Sequence, residues 1–249
     1  MEKQEIFPNA PIKEAVIDIR FSSKFASLDV IEDAIASIPS KYNFGEQEAM
    51  SGHHLEINVT GQGEPSVKEK LDQIGIRIKD HENNLVVIFK TDGFTVSKLP
   101  PYTNWEDFKS IAQDLWSTYF EKLVKVDFKR LAVRYINEIQ LSMIDGRVEL
   151  NEYLVNDPLT PKGFTSDISD FFNRIVIPFP KLSAKAVIIQ ALGEQTKDSI
   201  FVILDFDVYC DDISIVETQD IWTYLDKLRD IKNQAFTGSL TDKALENFR

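Results

Sequence analysis

One cysteine, Cys210, leaves the chain with no internal disulfide. It closes an apolar strand-like run and reads as a buried, inert thiol. A nucleophilic thiol needs a histidine partner, and only His53, His54 and His81 exist, none tied to it by spacing. His53 and His54 are neighbours on a strand and so point to opposite faces, where they cannot share a metal ion. No histidine or cysteine spacing suits zinc. The expectation is therefore no catalytic residue, no metal and no cofactor.

Apolar runs of membrane-spanning length are missing too, against the ~20 residues a helix needs. The charged stretch Met1–Ala10 has neither a secretory core nor transit-peptide character, which makes the cytoplasm the expected location. Positive charge is in deficit: 28 Lys and Arg against 40 Asp and Glu give −12, a field that repels phosphate backbones. The best basic run, Lys122, Lys125, Lys129 and Arg130, is broken by Glu121 and Asp127 and reads as a solvated helix end and strand face. Gly61-x-Gly63-x-x-Ser66 has phosphate-loop spacing but lacks a parallel βαβ context and a Walker lysine, so it reads as a turn around Pro65. Neither nucleic acid nor membrane is an expected partner.

What remains is an ordinary globular mix, 43% hydrophobic with 17 Phe, 7 Tyr and 3 Trp, enough to fill a sizeable core. Ala15 to Phe21 alternates as a strand, with Ala15, Ile17, Ile19 and Phe21 inward and Asp18 and Arg20 outward. Leu28, Ile31, Ala34, Ile35 and Ile38 recur at helical spacing up to Pro39. Strands are expected around Leu55–Val59, Ile74–Ile78, Leu85–Lys90 and Phe94–Leu99, while Val67–Leu71 leaves a helix open. Thr103-x-x-Glu106 reads as a capping box for a long helix with Trp105, Phe108, Ala112, Leu115, Tyr119 and Leu123 on one stripe. A long strand at Phe128–Leu141 follows, then a helical turn near Leu150–Leu154 and a loop over Asn156–Ser169. Strands at Phe172–Phe179, Ala184–Leu192 and Ile200–Val208 precede a helix carrying Trp222, Leu225, Leu228 and Ile231.

Both halves thus read strand, helix, antiparallel strands, long helix. The expected fold is α+β: two similar halves, residues 1–125 and 126–249, each an antiparallel sheet backed by a long helix. With no Gly/Ser-rich linker between them, the halves pack as one unit.

The candidate surface lies on the polar phases of the strands. Asp205 and Asp207 share a face about 7 Å apart, since residues 200, 202, 204, 206 and 208 are all apolar. Such a pair holds a divalent metal or divides acid and base roles, or else faces water or pairs with arginines, and no third carboxylate or histidine is tied to it. Arg130, Arg134 and Glu138 share the polar face of their strand, as Asp18 and Arg20 do of theirs. If these strands join one sheet, Arg20, Arg134, Asp18 and Asp205 share a surface. Tyr102, after Pro100-Pro101, is open to stacking on a ligand, and nearby Trp105 reads as a helix anchor. The binding candidates are Arg20, Arg134, Asp205, Asp207 and Tyr102. Asn137 is polar in a core phase, which asks for a bulge or a buried hydrogen bond. Lys232-Asn233 and Leu240–Leu245 read as a capped helix end and a terminal turn, or as a partner-binding tail.

Several segments carry a resemblance. Pro11–Val16, Pro101-Tyr102-x-x-Trp105-x-x-Phe108, Leu115-Trp116-x-x-Tyr119, Arg134–Asn137, Trp222–Asn233 and Leu240–Leu245 resemble a sporadically distributed family of bacterial proteins of about this length and of unknown function. The resemblance runs from about residue 8 to the end. It implies a nearly complete prokaryotic chain and, by association, mobile or defence genes; it brings no catalytic residues. The expected function is a non-enzymatic interaction protein of the immunity, antitoxin or phage-defence kind, whose acidic surface suits a basic protein partner. The alternative is a small-ligand binder or enzyme using the face around Asp205 and Asp207. Homo-oligomerisation stays open.

Overall fold

The structure, a computed structural model, describes residues 7–22, 24, 26–58, 66–124, 126–156, 168–211 and 221–249, with backbone alone for 53–58 and 66–71. The Gly61–Pro65 turn, Lys125, most of the Asn156–Ser169 loop and the side chains of His53 and His54 fall outside the described residues.

Nine strands form one antiparallel sheet. In chain order they are β1 (Ile12–Phe21), β2 (Glu46–Asn58), β3 (Ser66–Asp80), β4 (Leu85–Lys90), β5 (Gly93–Lys98), β6 (Phe128–Ser142), β7 (Phe172–Phe179), β8 (Ala184–Gln195) and β9 (Ser199–Cys210). Across the sheet they run β2-β3-β4-β5-β1-β6-β9-β8-β7. The helices are α1 (Leu28–Ala36), α2 (Trp105–Phe120), α3 (Ile221–Ser239) and α4 (Asp242–Glu246). Residues 66–71 are strand, not helix.

The expectation of two similar halves, each a sheet with its own long helix, is corrected. β1 pairs with β5 on one side and with β6 on the other, so the sheet continues through the chain's midpoint with no edge there. Unpaired backbone groups at a mid-molecule edge would be costly, and the β1–β6 ladder satisfies them. Alternation specifies which face of a strand is buried but not which strand lies beside it.

The apolar phases of β1, β4, β5, β6 and β9 face the helices. Ala15, Ile17 and Ile19 of β1, Val133 of β6 and Val208 of β9 are wholly buried, as are Phe89 and Phe94 of β4 and β5. Trp116 and Tyr119 of α2 meet these phenyl rings edge-on at 5.6 Å and 5.4 Å. Farther along the same face, Val202, Leu204 and Phe206 pack with Phe236 of α3 and Ala244 and Leu245 of α4. The cap of α2 is Asn104, whose side chain accepts from the Asp107 N–H, one residue beyond the expected Thr103. Thr241 caps α4 by accepting from the Ala244 N–H.

Asn137 and Lys232 are among the polar groups buried on this side. Asn137 is 2% exposed and donates to the Leu204 carbonyl at 3.0 Å, beside an irregularity of register in β1 between Ile12 and Glu14. Lys232 of α3 lies with its Nζ 3.9 Å from the Tyr135 ring centroid. Burial pushes its amine down to about 7, and neighbouring Arg229 adds to the push. The ring favours the charged form, but desolvation outweighs it.

Between about pH 7 and 10.5 the unfolded chain therefore holds more protons at this lysine than the folded one, so stability should climb with pH across that window. Urea unfolding should show Lys232→Met with a higher midpoint than wild type at pH 7 and a flatter rise above it. Parallel curves for the two proteins would mean that Lys232 is charged in the folded state.

Candidate functional site

Among the described residues no helix packs on the other face of the sheet. Register builds its centre. Ala132 of β6 sits between Arg130 and Arg134 and faces Asp18 on one side and Tyr209 on the other. Its methyl group leaves room for the two arginines to lie across the neighbouring strands. Arg20 stands directly opposite Arg130, a like-charge pairing that would be destabilising alone. Asp18 resolves it by accepting from both. Arg20 Nε reaches its two oxygens at 3.0 and 2.9 Å, and one Arg130 amino group reaches Oδ2 at 2.8 Å. Thr95 Oγ1 donates to Asp18 at 2.7 Å.

The network continues outward. The second Arg130 amino group grips both oxygens of Asp207 at 3.0 and 2.9 Å, and its guanidinium lies 4.7 Å from the Tyr209 ring centroid. Arg134 takes Asp205 with a two-pronged contact, Nε at 2.9 Å and the amino group at 2.6 Å. Lys185 pairs with Asp211 at 2.9 Å.

Burial by itself pushes the Asp18 carboxyl up, but the charge of Arg20 and the hydrogen bonds from Arg20 and Thr95 outweigh it and hold it below its ordinary value. At Asp207 the balance reverses. Burial pushes the carboxyl up by more than Arg130 and Arg134 pull it down, despite the close contact with Arg130. Asp207 is thus the weaker anchor of the two that Arg130 holds.

Beyond Asp205 the face dips into a cleft of about 500 Å³ over β8. Val187, Ile189 and Tyr209 give it an apolar floor. Arg134 stands on one side and Arg174 of β7 on the other, in the cross-strand row Arg174–Ile189–Asp205. Arg174 is exposed and has no acidic partner among the described residues.

Of the five residues expected from the sequence, Arg20, Arg134, Asp205 and Asp207 share this face. Tyr102 does not. It lies on the helix side, its hydroxyl 2.9 Å from that of Tyr135, and burial pushes its phenol up to about 12. Trp105 is a helix anchor, 4% exposed and donating to Asp226 at 2.7 Å. Glu138 is drawn off to Lys13 at 2.7 Å. Asp18, Thr95, Tyr209 and Arg174 complete the site. Tyr209 was legible as the next outward position after Asp207, whereas Thr95 and Arg174 enter only through pairing.

Each carboxylate named on this face is held by a guanidinium or an ammonium, which suits anchoring better than proton transfer. Among the described residues no group of three His, Cys, Asp or Glu could hold a metal ion, and no helix is long and apolar enough to cross a membrane. No protein-family model and no curated protein matches the chain.

Asp18→Asn should cost about 2 kcal/mol at neutral pH, since it strips Arg20 and Arg130 of their shared anion. Because the folded carboxyl titrates below its ordinary 3.8, its contribution is present above that pH and fades as pH falls through the folded value. Chemical denaturation of wild type and variant should converge in acid. A gap that persists there would assign the loss to packing.

Proposed function

We propose that this protein is a non-catalytic interaction module whose working surface is the uncovered sheet face. The observation that carries the reading is the contrast within that face. Arg130, Arg134 and their aspartates form a fixed, mutually satisfied lattice, while Arg174 stands unpaired across an apolar floor from Arg134. Preorganised guanidinium groups beside Val187, Ile189 and Tyr209 suit a protein segment that brings one carboxylate and adjoining apolar side chains. Elsewhere the surplus of acid favours approach by a partner that is basic overall. The segment resemblance to a sporadically distributed bacterial family supports a partner within an immunity, antitoxin or phage-defence system.

A second reading has its own support. The cleft's volume lies in the ~300–1,000 Å³ range of small-molecule sites, so a small acid with an apolar body would also fit.

The test is affinity capture from the native host by wild type, Arg174→Ala and Arg134→Ala, with Lys243→Ala as a remote control. Eluates are read by protein and metabolite mass spectrometry. A protein retained stoichiometrically by wild type and the control, and at least ~10-fold less by the two arginine variants, supports the interaction reading. A small acid with the same dependence supports the second. Capture indifferent to both arginines would remove this face from consideration.

A further inference from the structure

The sheet has two edges, and they are built differently. At β2, Glu46 and Glu48 stand over Lys79 and Arg77 in a charged ladder, with contacts of 2.8 and 3.3 Å. Charge at an edge is how sheets resist pairing with other chains. At β7 the pattern is the opposite. Phe172 is 68% exposed, and Ile175, Val176 and Ile177 are each exposed by 40% or more. The strand is apolar on both faces and contains no acid in a chain of charge −12. Among the described residues β7 pairs with β8 alone, and no other strand meets its outer row of backbone groups.

A second observation lies beside it. On the helix side, Ile175 and Ile177 form the outer wall of a groove of about 380 Å³ between β7, β8 and the end of α3. Ala235 and Gly238 leave it wide, and Gln190, 4% exposed, turns into it. Among the described residues no hydrogen-bond partner meets the Gln190 amide. No buried side-chain polar atom lacks a partner among the described residues, so the Gln190 amide is open to solvent through this groove.

We propose that β7 is a dimerisation strand that pairs antiparallel with β7 of a second copy about a two-fold axis normal to the sheet. This stands independently of the function proposed for the charged face. The register that sets Val176 opposite its own copy also sets Ile175 opposite Ile177 of the second copy, and the reverse. Both faces of the seam become apolar, and the two Arg174 side chains start about 14 Å apart. A closed, isologous contact of this kind uses one self-complementary strand twice. With Val176 on the axis, residues 173–179 of the two copies oppose one another over about 24 Å, and a sheet and a helix layer of about 10 Å each give roughly 500 Å² per copy, at the ~1,000 Å² total of a specific interface. The seam would also close the outer wall of the groove at Gln190 and bring the two Arg174-lined clefts onto one continuous face.

Sedimentation equilibrium at tens of micromolar tests the proposal. Wild type should be a dimer, while Val176→Lys and Ile175→Lys should each be monomers with an unchanged circular dichroism spectrum and melting temperature, since both sites are exposed. Val176→Cys should cross-link to a covalent dimer on mild oxidation, because Cβ atoms of directly opposed residues lie ~4.5–5.5 Å apart, and the native Cys210 is buried and gives little background. Phe172→Cys, far from the axis, should not. A monomeric wild type, a dimer that survives both lysine variants, or equal cross-linking at 172 and 176 would each overturn it.

Discussion

β1 and β6 pair from Ile12–Asn137 to Phe21–Phe128, and nearly everything else follows from that ladder. It joins parts of the chain more than a hundred residues apart in sequence, and it removes the edge that would otherwise divide the sheet. On the helix side it brings Ile17 and Ile19 against Val133 and Leu131 as the centre of the core. On the open side the same register leaves Arg20 facing Arg130 across the strands, so the polar face is organised around the need to separate two positive charges. Asp18 meets that need, and its position beside Ala132 is fixed by the same pairing.

Much of the fold was legible in residue order. The alternation of Ala15, Ile17, Ile19 and Phe21 marks β1 and its buried face, and the apolar phase of β9 puts Asp205 and Asp207 together on the other. Single-strand periodicity therefore put Arg20, Arg134, Asp205 and Asp207 on the polar phases of their strands, which the sheet joins into one face. It could not place Tyr102, because a residue after two prolines has no phase to read; packing against Phe108 and Tyr135 puts it on the helix side. Nor could it join the halves into one sheet, since pairing partners are set by long-range register and not by local pattern. The family-like segments Arg134–Asn137 and Pro11–Val16 are parts of the two strands that pair here, which gives those segments a structural role.

The charged face and the helix-covered core handle buried polarity in opposite ways. On the face, guanidinium groups lie beside the carboxylates and hold Asp18 below its ordinary value, and the chain Asp18–Arg130–Asp207 crosses three strands. In the core, Lys232 meets an aromatic ring and, among the described residues, no carboxylate, and its amine is pushed towards the neutral form. The first arrangement retains solvated flanks, with Arg134 still half exposed. The second is dry. Asp18 is thus favoured in its charged form where the sheet face is open, and Lys232 in its neutral form where α3 covers the sheet.

The central ladder also sets a timetable for synthesis. β1 is made first, and β2 to β5 can assemble around it as hairpins, yet its second partner begins only at Phe128. At about 5–20 residues per second, roughly ten seconds pass between the end of β1 and the emergence of β6. Throughout that interval the nascent chain carries an open strand edge at what will become the middle of the molecule. Ile17 and Ile19 gain their β6 partners, Val133 and Leu131, only after that interval.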